Sequence, residues 1–352
     1  MSYLIYGAYG YTGTLVAERA VEQGHEPILA GRDEGRLRAL ARSLDLEARA
    51  VALDEPGRLR DLLDAVPAVL HCAGPFSATS APMVAACLNT GTHYLDITGE
   101  IPVLQALRTR GPEAAENDVL LLPAVGFDVV PTDNLAATLA EQVPSATTLE
   151  LAFVGGGPVS KGTLKTAVEQ LGAGGRVRRE GRVVEVPVGW TNRTVPFEDR
   201  PRTGTSIPWG DVVTAGHSTG IPNVTVYTVL PDGLRRLLPL ARPLQGLFSW
   251  PSVQVLLKRA VDRWGPDPTA ADRARGWTRV WAAVRSADGT RRSAQLRGPD
   301  AYTLTARTAV AAVERIVENP PDPGFHTPST ALGPSFASGI DGIEIDFGPR
   351  TG

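Results

Sequence analysis

The chain has 352 residues, of which 43% are hydrophobic and 21% charged, and its formal net charge is −3. That length allows about two domains with sizeable cores. The composition excludes a disordered polyelectrolyte, and the balanced charge argues against nucleic-acid binding, which usually requires a concentrated basic face. Two cysteines are too few for a disulfide framework or a cysteine metal site, so we expect no metal and a cytoplasmic location.

The first 145 residues alternate between short apolar runs and helix-like segments. The predicted strands are 3–6, 27–30, 48–53, 68–73, 94–97 and 119–123. The helix-like segments between them include 13–23, 35–44, 56–65 and 81–89. This alternation is typical of βαβ units, and it predicts an N-terminal Rossmann domain with a doubly wound parallel sheet.

The pattern changes after about residue 145, where strand-like segments follow one another and Gly289 marks a hairpin. The predicted strands of this part are 147–154, 181–188, 211–215, 224–230, 277–286 and 291–297. They predict a second α+β domain with a mixed or antiparallel sheet, and residues 303–317 predict a final amphipathic helix. The expected domains are 1–135 for NAD(P) binding, 136–300 for substrate binding and dimerisation, and 301–352 as a C-terminal helix and tail that return to the Rossmann domain.

Residues 234–264 are apolar but interrupted by proline. They have three interpretations: a lid or tunnel wall over an apolar substrate, a dimer contact, or a membrane contact. The proline interruptions and mixed charge make the membrane contact the least favoured of the three.

A glycine-rich turn lies between the first predicted strand and the first helix. In such turns the first glycine permits the tight bend, the second lets the backbone approach a pyrophosphate, and the third allows close helix packing. The phosphate then meets the N–H groups at the positive end of the helix dipole. The predicted cofactor contacts in this turn are Gly7, Tyr9, Gly10, Tyr11, Thr12 and Gly13.

The residues at the end of the second strand, Gly31 and Arg32, indicate whether the cofactor is NADP(H) or NAD(H). A guanidinium there suits the 2′-phosphate of NADP(H), because its planar fork binds phosphate in a bidentate manner. The adjacent Asp33 keeps NAD(H) as the less favoured alternative, and Arg32 has the further interpretation of a solvated loop residue. Asp54, after the third strand, is either a contact near the adenine or the N-cap of the next helix.

Ligands bind outside the carboxyl ends of parallel strands, and the segment after the fourth strand lies there. The further predicted cofactor contacts are Cys72, Ala73, Gly74, Pro75 and Phe76.

Three polar residues are candidates for catalysis. Asp128 follows a glycine at a strand end, where the substrate is expected. Glu100 precedes a helix, so it is either a catalytic group or a helix cap. Lys161 begins a helix in a chain with few lysines, and it is either a proton donor or phosphate-binding group, or part of a solvated helix start.

Several of these segments together resemble the saccharopine dehydrogenase-like NADP-binding reductase family, and within it the trans-acting enoyl reductase-like branch. The resemblance is carried by residues 7–13, 74–76, 94–100, 126–133, 324–331 and 333–336. It implies a Rossmann domain, a second domain with a mixed sheet that contributes substrate and dimer contacts, and a tail that returns to the first domain.

These features predict an NADP(H)-dependent oxidoreductase that transfers hydride to an apolar small-molecule or carrier-bound acyl substrate. The resemblance favours reduction of an enoyl C=C bond. An imine or ketone reductase of the saccharopine dehydrogenase type is one alternative. The other is a catalytically inactive protein that binds the cofactor as a regulator or scaffold. A homodimer is expected.

Overall fold

The computed structural model describes residues 1–241, 245–248, 250–264 and 267–351. Contacts divide the chain into two compact units. Unit 1 contains Met1–Val130 and Tyr302–Asp341, and unit 2 contains Pro131–Ala301 and the residues from Gly342 onwards.

Strands and helices have the following bounds. The strands are β1 (Leu4–Tyr6), β2 (Ile28–Gly31), β3 (Ala48–Ala50), β4 (Ala68–His71), β5 (His93–Asp96), β6 (Leu120–Leu122), β7 (Ala146–Gly156), β8 (Gly175–Arg179), β9 (Arg182–Val186), β10 (Asn192–Pro196), β11 (Pro201–Ser206), β12 (Asn223–Val229), β13 (Trp277–Ser286), β14 (Arg291–Pro299), β15 (Gly324–Phe325) and β16 (Glu344–Phe347). The helices are α1 (Tyr11–Glu22), α2 (Glu34–Leu44), α3 (Pro56–Leu63), α4 (Phe76–Thr90), α5 (Ile101–Thr109), α6 (Gly111–Glu116), α7 (Val130–Gln142), α8 (Lys161–Ala173), α9 (Asp211–Thr219), α10 (Asp232–Ala241), α11 (Gln245–Phe248), α12 (Pro251–Trp264), α13 (Ala270–Arg275), α14 (Ala301–Glu318) and α15 (Pro328–Leu332).

Unit 1 is built on a seven-stranded parallel sheet with the order β15-β6-β5-β4-β1-β2-β3. The chain moves outward from β1 in both directions, so the order reverses between β1 and β4, where Leu4 pairs with Ile28 on one side and Val69 on the other. That reversal is the switch point at which doubly wound sheets bind ligands. The predicted Rossmann fold is confirmed.

Two apolar layers cover the faces of this sheet because successive strand residues point to opposite sides. Ile5 packs in the layer that contains Val16 of α1 and Val313 of α14, whereas Leu4 packs in the layer that contains Met83 of α4. The C-terminal part therefore contributes a covering helix, and it also contributes β15, which pairs with β6.

Unit 2 contains a mixed sheet with the order β10-β11-β12-β7-β13-β14-β16, and the β8–β9 hairpin joins it at β12. β12 and β7 are parallel, and the other pairs are antiparallel. The predicted second domain with a mixed sheet is confirmed.

The strand predicted at 211–215 is wrong, because these residues begin α9. Asp211 through Gly216 are all buried, and a short buried run has the same apolar pattern in a strand and in a helix. Gly220 ends the helix with φ of +69°.

The end of the chain also differs from expectation. Residues 301–352 were expected to return together to the first domain, but β16 pairs with β14 in the sheet of unit 2. The residues from Gly342 onwards therefore belong to unit 2.

The segment 234–264 forms α10, α11 and α12, although residues 242–244 and 249 lie outside the described residues. Over the described part of the chain, no helix combines the length and the hydropathy needed to cross a bilayer.

Candidate cofactor and active site

The glycine turn is shaped by close backbone contacts. Gly7 has φ of +82°, and its N–H donates to the carbonyl oxygen of Ala30 at 2.8 Å. A Cβ atom on Gly7 would lie 2.7 Å from the backbone nitrogen of Ala73, and one on Gly13 would lie 2.3 Å from the carbonyl oxygen of Gly7. Gly7 and Gly13 are therefore required by the packing of β1, α1 and the segment after β4.

Gly10 is different, because its Cβ position meets only the carbonyl oxygen of Gly7, at 3.2 Å. Gly10 is the N-cap of the twelve-residue helix α1, with extended backbone and no side-chain cap, and the first turn carries no acidic residue. A helix N-terminus of this kind attracts a phosphate. The lack of a side chain at Gly10 and an uncompensated helix dipole fit the pyrophosphate of a dinucleotide.

Tyr11 and Thr12 occupy the first turn of α1 and are partly exposed. The ring of Tyr11 contacts that of Tyr302 edge to face, with 5.0 Å between centroids. Helix α14 thus packs beside the predicted phosphate site within unit 1.

Tyr9 connects the glycine turn to the end of β2. A Cβ atom on Gly31 would lie 2.5 Å from the Tyr9 ring, and the Arg36 guanidinium stands 4.8 Å over that ring. Arg36 also donates to the carbonyl oxygen of Tyr9 at 3.0 Å. Gly31 is thus needed to accommodate the Tyr9 ring, and Arg36 makes a cation–π contact with that ring.

Arg32 and Asp33 follow β2 and both are exposed. The Oδ1 atom of Asp33 accepts the Arg36 backbone N–H at 3.0 Å and caps α2. The Asp33 carboxylate would favour NAD(H), but one of its oxygens already caps α2. Arg32 follows the end of β2, where the 2′-phosphate of NADP(H) is expected.

Asp54 lies exposed in the turn after β3. Its alternative interpretation as a helix N-cap is wrong, because Glu55 is the N-cap of α3 and its Oε2 atom accepts the Ala52 N–H at 2.9 Å. Asp54 stays a predicted cofactor contact.

The segment after β4 lies against the glycine turn. The Cys72 N–H donates to the carbonyl oxygen of Tyr6 at 2.8 Å, and Ala73 approaches Gly7. Gly74 is exposed, the Gly74–Pro75 peptide is cis, and Phe76 begins α4. The predicted contacts at 72–76 are therefore next to the glycine turn.

Burial shifts the pKa values of His71 and Cys72 away from neutral pH. Desolvation lowers the pKa of His71 to about 3 and raises the pKa of Cys72 to about 12. His71 packs its ring 5.5 Å from those of Tyr6 and Phe76. At neutral pH both side chains are uncharged, and both have a packing role.

Glu100 connects the end of β5 to the start of α4. Its Oε1 atom accepts the Phe76 N–H at 2.9 Å, and its Oε2 atom accepts the Ser77 N–H at 2.8 Å. The side chain is buried, so the two hydrogen bonds compensate for the loss of hydration of the carboxylate. Glu100 is also the N-cap of α5 by position, but its side chain caps the neighbouring helix.

Asp128 lies beside Glu100, so the structure brings two of the three predicted catalytic residues together. A Cβ atom on Gly99 would lie 2.7 Å from the Oδ2 atom of Asp128, which shows how closely the carboxylate approaches the loop before α5. Burial, and then the charge of Glu100, raise the pKa of Asp128 to about 7. Asp128 therefore exchanges a proton near neutral pH.

Two further polar residues organise this end of the sheet. Asp96 accepts from the Tyr94 hydroxyl at 2.7 Å and from the N–H groups of Thr98 and Ala124 at 2.9 Å each. Burial raises the pKa of Asp96 to about 6. Thr305 of α14 accepts the Phe127 N–H at 3.0 Å, directly before Asp128. Thr305 was not predicted from the sequence, because a separation of 178 residues leaves no local pattern that would reveal it.

Lys161 belongs to unit 2, where it is the first residue of α8. Its backbone N–H donates to Asp267 Oδ1 at 3.0 Å, and Ser160 caps the helix by accepting the Thr163 N–H at 3.3 Å. These contacts explain why the helix begins here. The role of the ammonium stays a prediction. In the described ranges, no three metal-ligating side chains form a group able to hold an ion.

Unit 1 has the features of a dinucleotide-binding domain. These are a parallel sheet with its switch point at a glycine turn, a helix N-terminus without a side-chain cap, and a basic residue after β2. Residues 3–122 match the family model described as the saccharopine dehydrogenase NADP binding domain. Over these residues the predicted resemblance to a saccharopine dehydrogenase NADP-binding domain and the predicted cofactor NADP(H) are confirmed.

Two curated proteins are similar in sequence to part of this chain. A trans-acting enoyl reductase of Mycobacterium leprae is 33% identical over 156 residues, which is 42% of this chain and 37% of that protein. A saccharopine dehydrogenase-like oxidoreductase of Mus musculus is 29% identical over 202 residues, which is 50% of this chain and 47% of that protein. The matches therefore span less than half the length of each of these relatives.

Among solved structures, the apo saccharopine dehydrogenase (L-Glu forming) of Saccharomyces cerevisiae superposes with a TM-score of 0.68. The match covers 99% of this chain and 100% of that one, with 12% sequence identity. At that identity the similarity establishes the fold.

Proposed function

We propose that this protein is an NADP(H)-dependent oxidoreductase that transfers hydride to an apolar small-molecule or carrier-bound acyl substrate. The observation that carries the proposal is the glycine turn at the switch point, in a domain that matches an NADP-binding family model. The exposed guanidinium of Arg32 at the end of β2 supports the phosphorylated cofactor.

Within this class we favour reduction of an enoyl C=C bond. The preference is supported by the similarity to the trans-acting enoyl reductase of Mycobacterium leprae over 42% of the chain. An imine or ketone reductase is the second candidate, and the fold similarity to a saccharopine dehydrogenase favours it. A homodimer and a cytoplasmic location are also part of the proposal.

Bound reduced nicotinamide supplies a hydride to an electrophilic carbon. The residues of this chain then have two tasks, which are to hold the acceptor and to protonate the product. Asp128 suits the second task because its pKa of about 7 leaves a large fraction of the acid form at neutral pH. In enoyl reduction, the cofactor would supply a hydride to the β-carbon, and Asp128 would donate its proton to the α-carbon.

Glu100 supports this task from the adjacent position. Its two hydrogen bonds to the start of α4 fix the carboxylate, and its negative charge raises the pKa of Asp128. Lys161 is proposed to bind the phosphate of a carrier arm or to donate a proton, since an ammonium is a compact charge with three donors.

The experiment is NADPH oxidation by the whole protein with a panel of enoyl, imine and ketone substrates. Turnover of enoyl substrates, with a large loss in Asp128→Asn, supports the proposal. Turnover of imines or ketones alone supports the second candidate. Tight NADPH binding without turnover of any substrate supports the third alternative, a catalytically inactive cofactor-binding scaffold.

A further inference from the structure

In unit 2, α10, α12 and Trp250 directly before α12 expose large apolar side chains, and both helices also carry exposed arginines. We call this set the α10–α12 surface, and it consists of Leu234, Arg236, Leu237, Trp250, Val255, Leu256, Arg259 and Arg263. The exposed fraction is 58% for Leu237, 61% for Trp250 and 67% for Leu256. Val255 and Leu256 are exposed at consecutive positions of α12, and a cluster of exposed apolar side chains marks an interaction site.

Helix α12 has two different faces. The positions 255, 256, 259 and 263 recur at helical spacing and are all exposed. On the other face, Gln254 donates through Nε2 to the carbonyl oxygen of Val168 in α8 at 2.9 Å. Since the inner face attaches the helix to the unit, the apolar residues of the outer face are not required for that attachment.

The surface is basic in a chain whose net charge is negative. Residues 232–264 contain six basic and two acidic side chains, against a net charge of −3 for the whole chain. One of the acidic side chains, Asp232, already pairs with Arg235 at 3.1 Å. Along the outer face of α12, Val255 and Leu256 come first, and Arg259 and Arg263 follow toward the C-terminus.

We propose that the α10–α12 surface binds the surface of a membrane that contains anionic lipids. Leucine and tryptophan side chains on a basic amphipathic helix enter the boundary between headgroups and acyl chains, and arginines bind the lipid phosphates. A second copy of the chain fits less well, because the residues of this surface include three arginines and no carboxylate that could pair with them across a self-contact.

The test is vesicle flotation with the whole protein, without cofactor or substrate, so that its result is independent of the proposed activity. We expect binding to vesicles of phosphatidylglycerol mixed with phosphatidylcholine, little binding to phosphatidylcholine alone, and weaker binding as salt increases. No binding to either vesicle overturns the proposal, and equal binding to both overturns its anionic part.

Leu256→Glu and Arg259→Glu are expected to reduce the bound fraction about tenfold, since each removes an apolar or cationic contact with the bilayer. The matched control is Arg60→Glu, the same charge change on an exposed residue of α3 in unit 1. An equal loss in Arg60→Glu and in Arg259→Glu overturns the proposal. A dimer that forms without lipid and that Leu256→Glu dissociates also overturns the proposal, because the surface would then bind a second copy of the chain. Unchanged circular dichroism and NADPH affinity show that the variants fold.

Discussion

The carboxylate of Glu100 accepts the backbone N–H of Phe76, at the first residue of α4, over 2.9 Å. With the second bond to Ser77, it occupies the position at which a helix N-terminus binds an anion. The start of α4 is therefore closed by the protein's own carboxylate, whereas the start of α1 carries no side-chain cap. This contrast supports the predicted phosphate site at the start of α1.

Glu100→Gln tests the role of this carboxylate. The amide keeps one acceptor and loses the charge, so we expect the free energy of unfolding to fall by about 1.5–3 kcal/mol. NADPH affinity is expected to fall as well, because the segment 74–76 is held less firmly next to the glycine turn. Urea unfolding and fluorescence titration measure the two quantities.

Glu113→Gln is the control for Glu100→Gln, because Glu113 is an exposed carboxylate paired with Arg110, and we expect no measurable loss of stability. If Glu100→Gln leaves stability and NADPH affinity intact but removes turnover, Glu100 takes part in the chemistry and the positioning role is wrong.

Gly10→Ala separates folding from cofactor binding. The backbone of Gly10, at φ −71° and ψ 163°, suits alanine, and the nearest contact of the new Cβ is 3.2 Å. We expect a stability change below about 1 kcal/mol and at least about a tenfold loss of NADPH affinity, because the methyl group blocks the approach of the pyrophosphate.

The comparison for Gly10→Ala is Gly57→Ala in α3, where a Cβ meets nothing within 4 Å. This variant is expected to bind NADPH normally. Normal binding by Gly10→Ala would place the pyrophosphate elsewhere.

Arg32→Ala tests the cofactor preference. Loss of the guanidinium is expected to weaken NADPH binding by about 10- to 100-fold and to leave NADH binding unchanged, since only NADPH carries the 2′-phosphate. Titrations with both nucleotides give the ratio directly. Arg38→Ala is the control because Arg38 is exposed on α2 and paired with Glu34. Equal losses for both nucleotides would contradict the assignment of Arg32.

The sequence was sufficient for strands β1 to β6 of unit 1 and for its glycine turn, because both depend on local patterns, whereas β15 was not predicted. Apolar runs separated by helices identify a parallel sheet, and glycines at fixed spacing identify the turn. The helix at Asp211 was missed for the same kind of reason: six consecutive buried residues carry no amphipathic period.

The contacts that organise the site depend on distant parts of the chain. Glu100 reaches back 24 residues to Phe76, and Phe127 donates to Thr305 across 178 residues. No spacing rule links such positions, so the sequence left Glu100 open between catalysis and a cap of its own helix. The pairing of β16 with β14 is equally non-local, and it places the last residues in unit 2.

Asp128→Asn gives a prediction for pH dependence. The pKa of Asp128 is about 7, so its acid form is present below that pH and disappears above it. If Asp128 donates the proton, kcat/KM falls about tenfold per pH unit above pH 7. The asparagine variant loses activity and loses this limb of the profile. A wild-type limb that persists in Asp128→Asn would assign the proton to another group.

The same pKa predicts a stability difference that does not depend on turnover. Folding raises the pKa of Asp128 from 3.8 to about 7, so its contribution to stability is fully present below about pH 4 and is lost as the pH rises through 7. The asparagine side chain of the variant does not titrate, and Asp96 is common to both proteins, so its own titration largely cancels in the comparison. We therefore expect Asp128→Asn to become more stable relative to wild type as the pH rises from about 4 to about 8, which urea unfolding at the two pH values measures. A constant difference would mean that Asp128 titrates near its ordinary pKa in the folded protein, and the proton-donor role would then lack its physical basis.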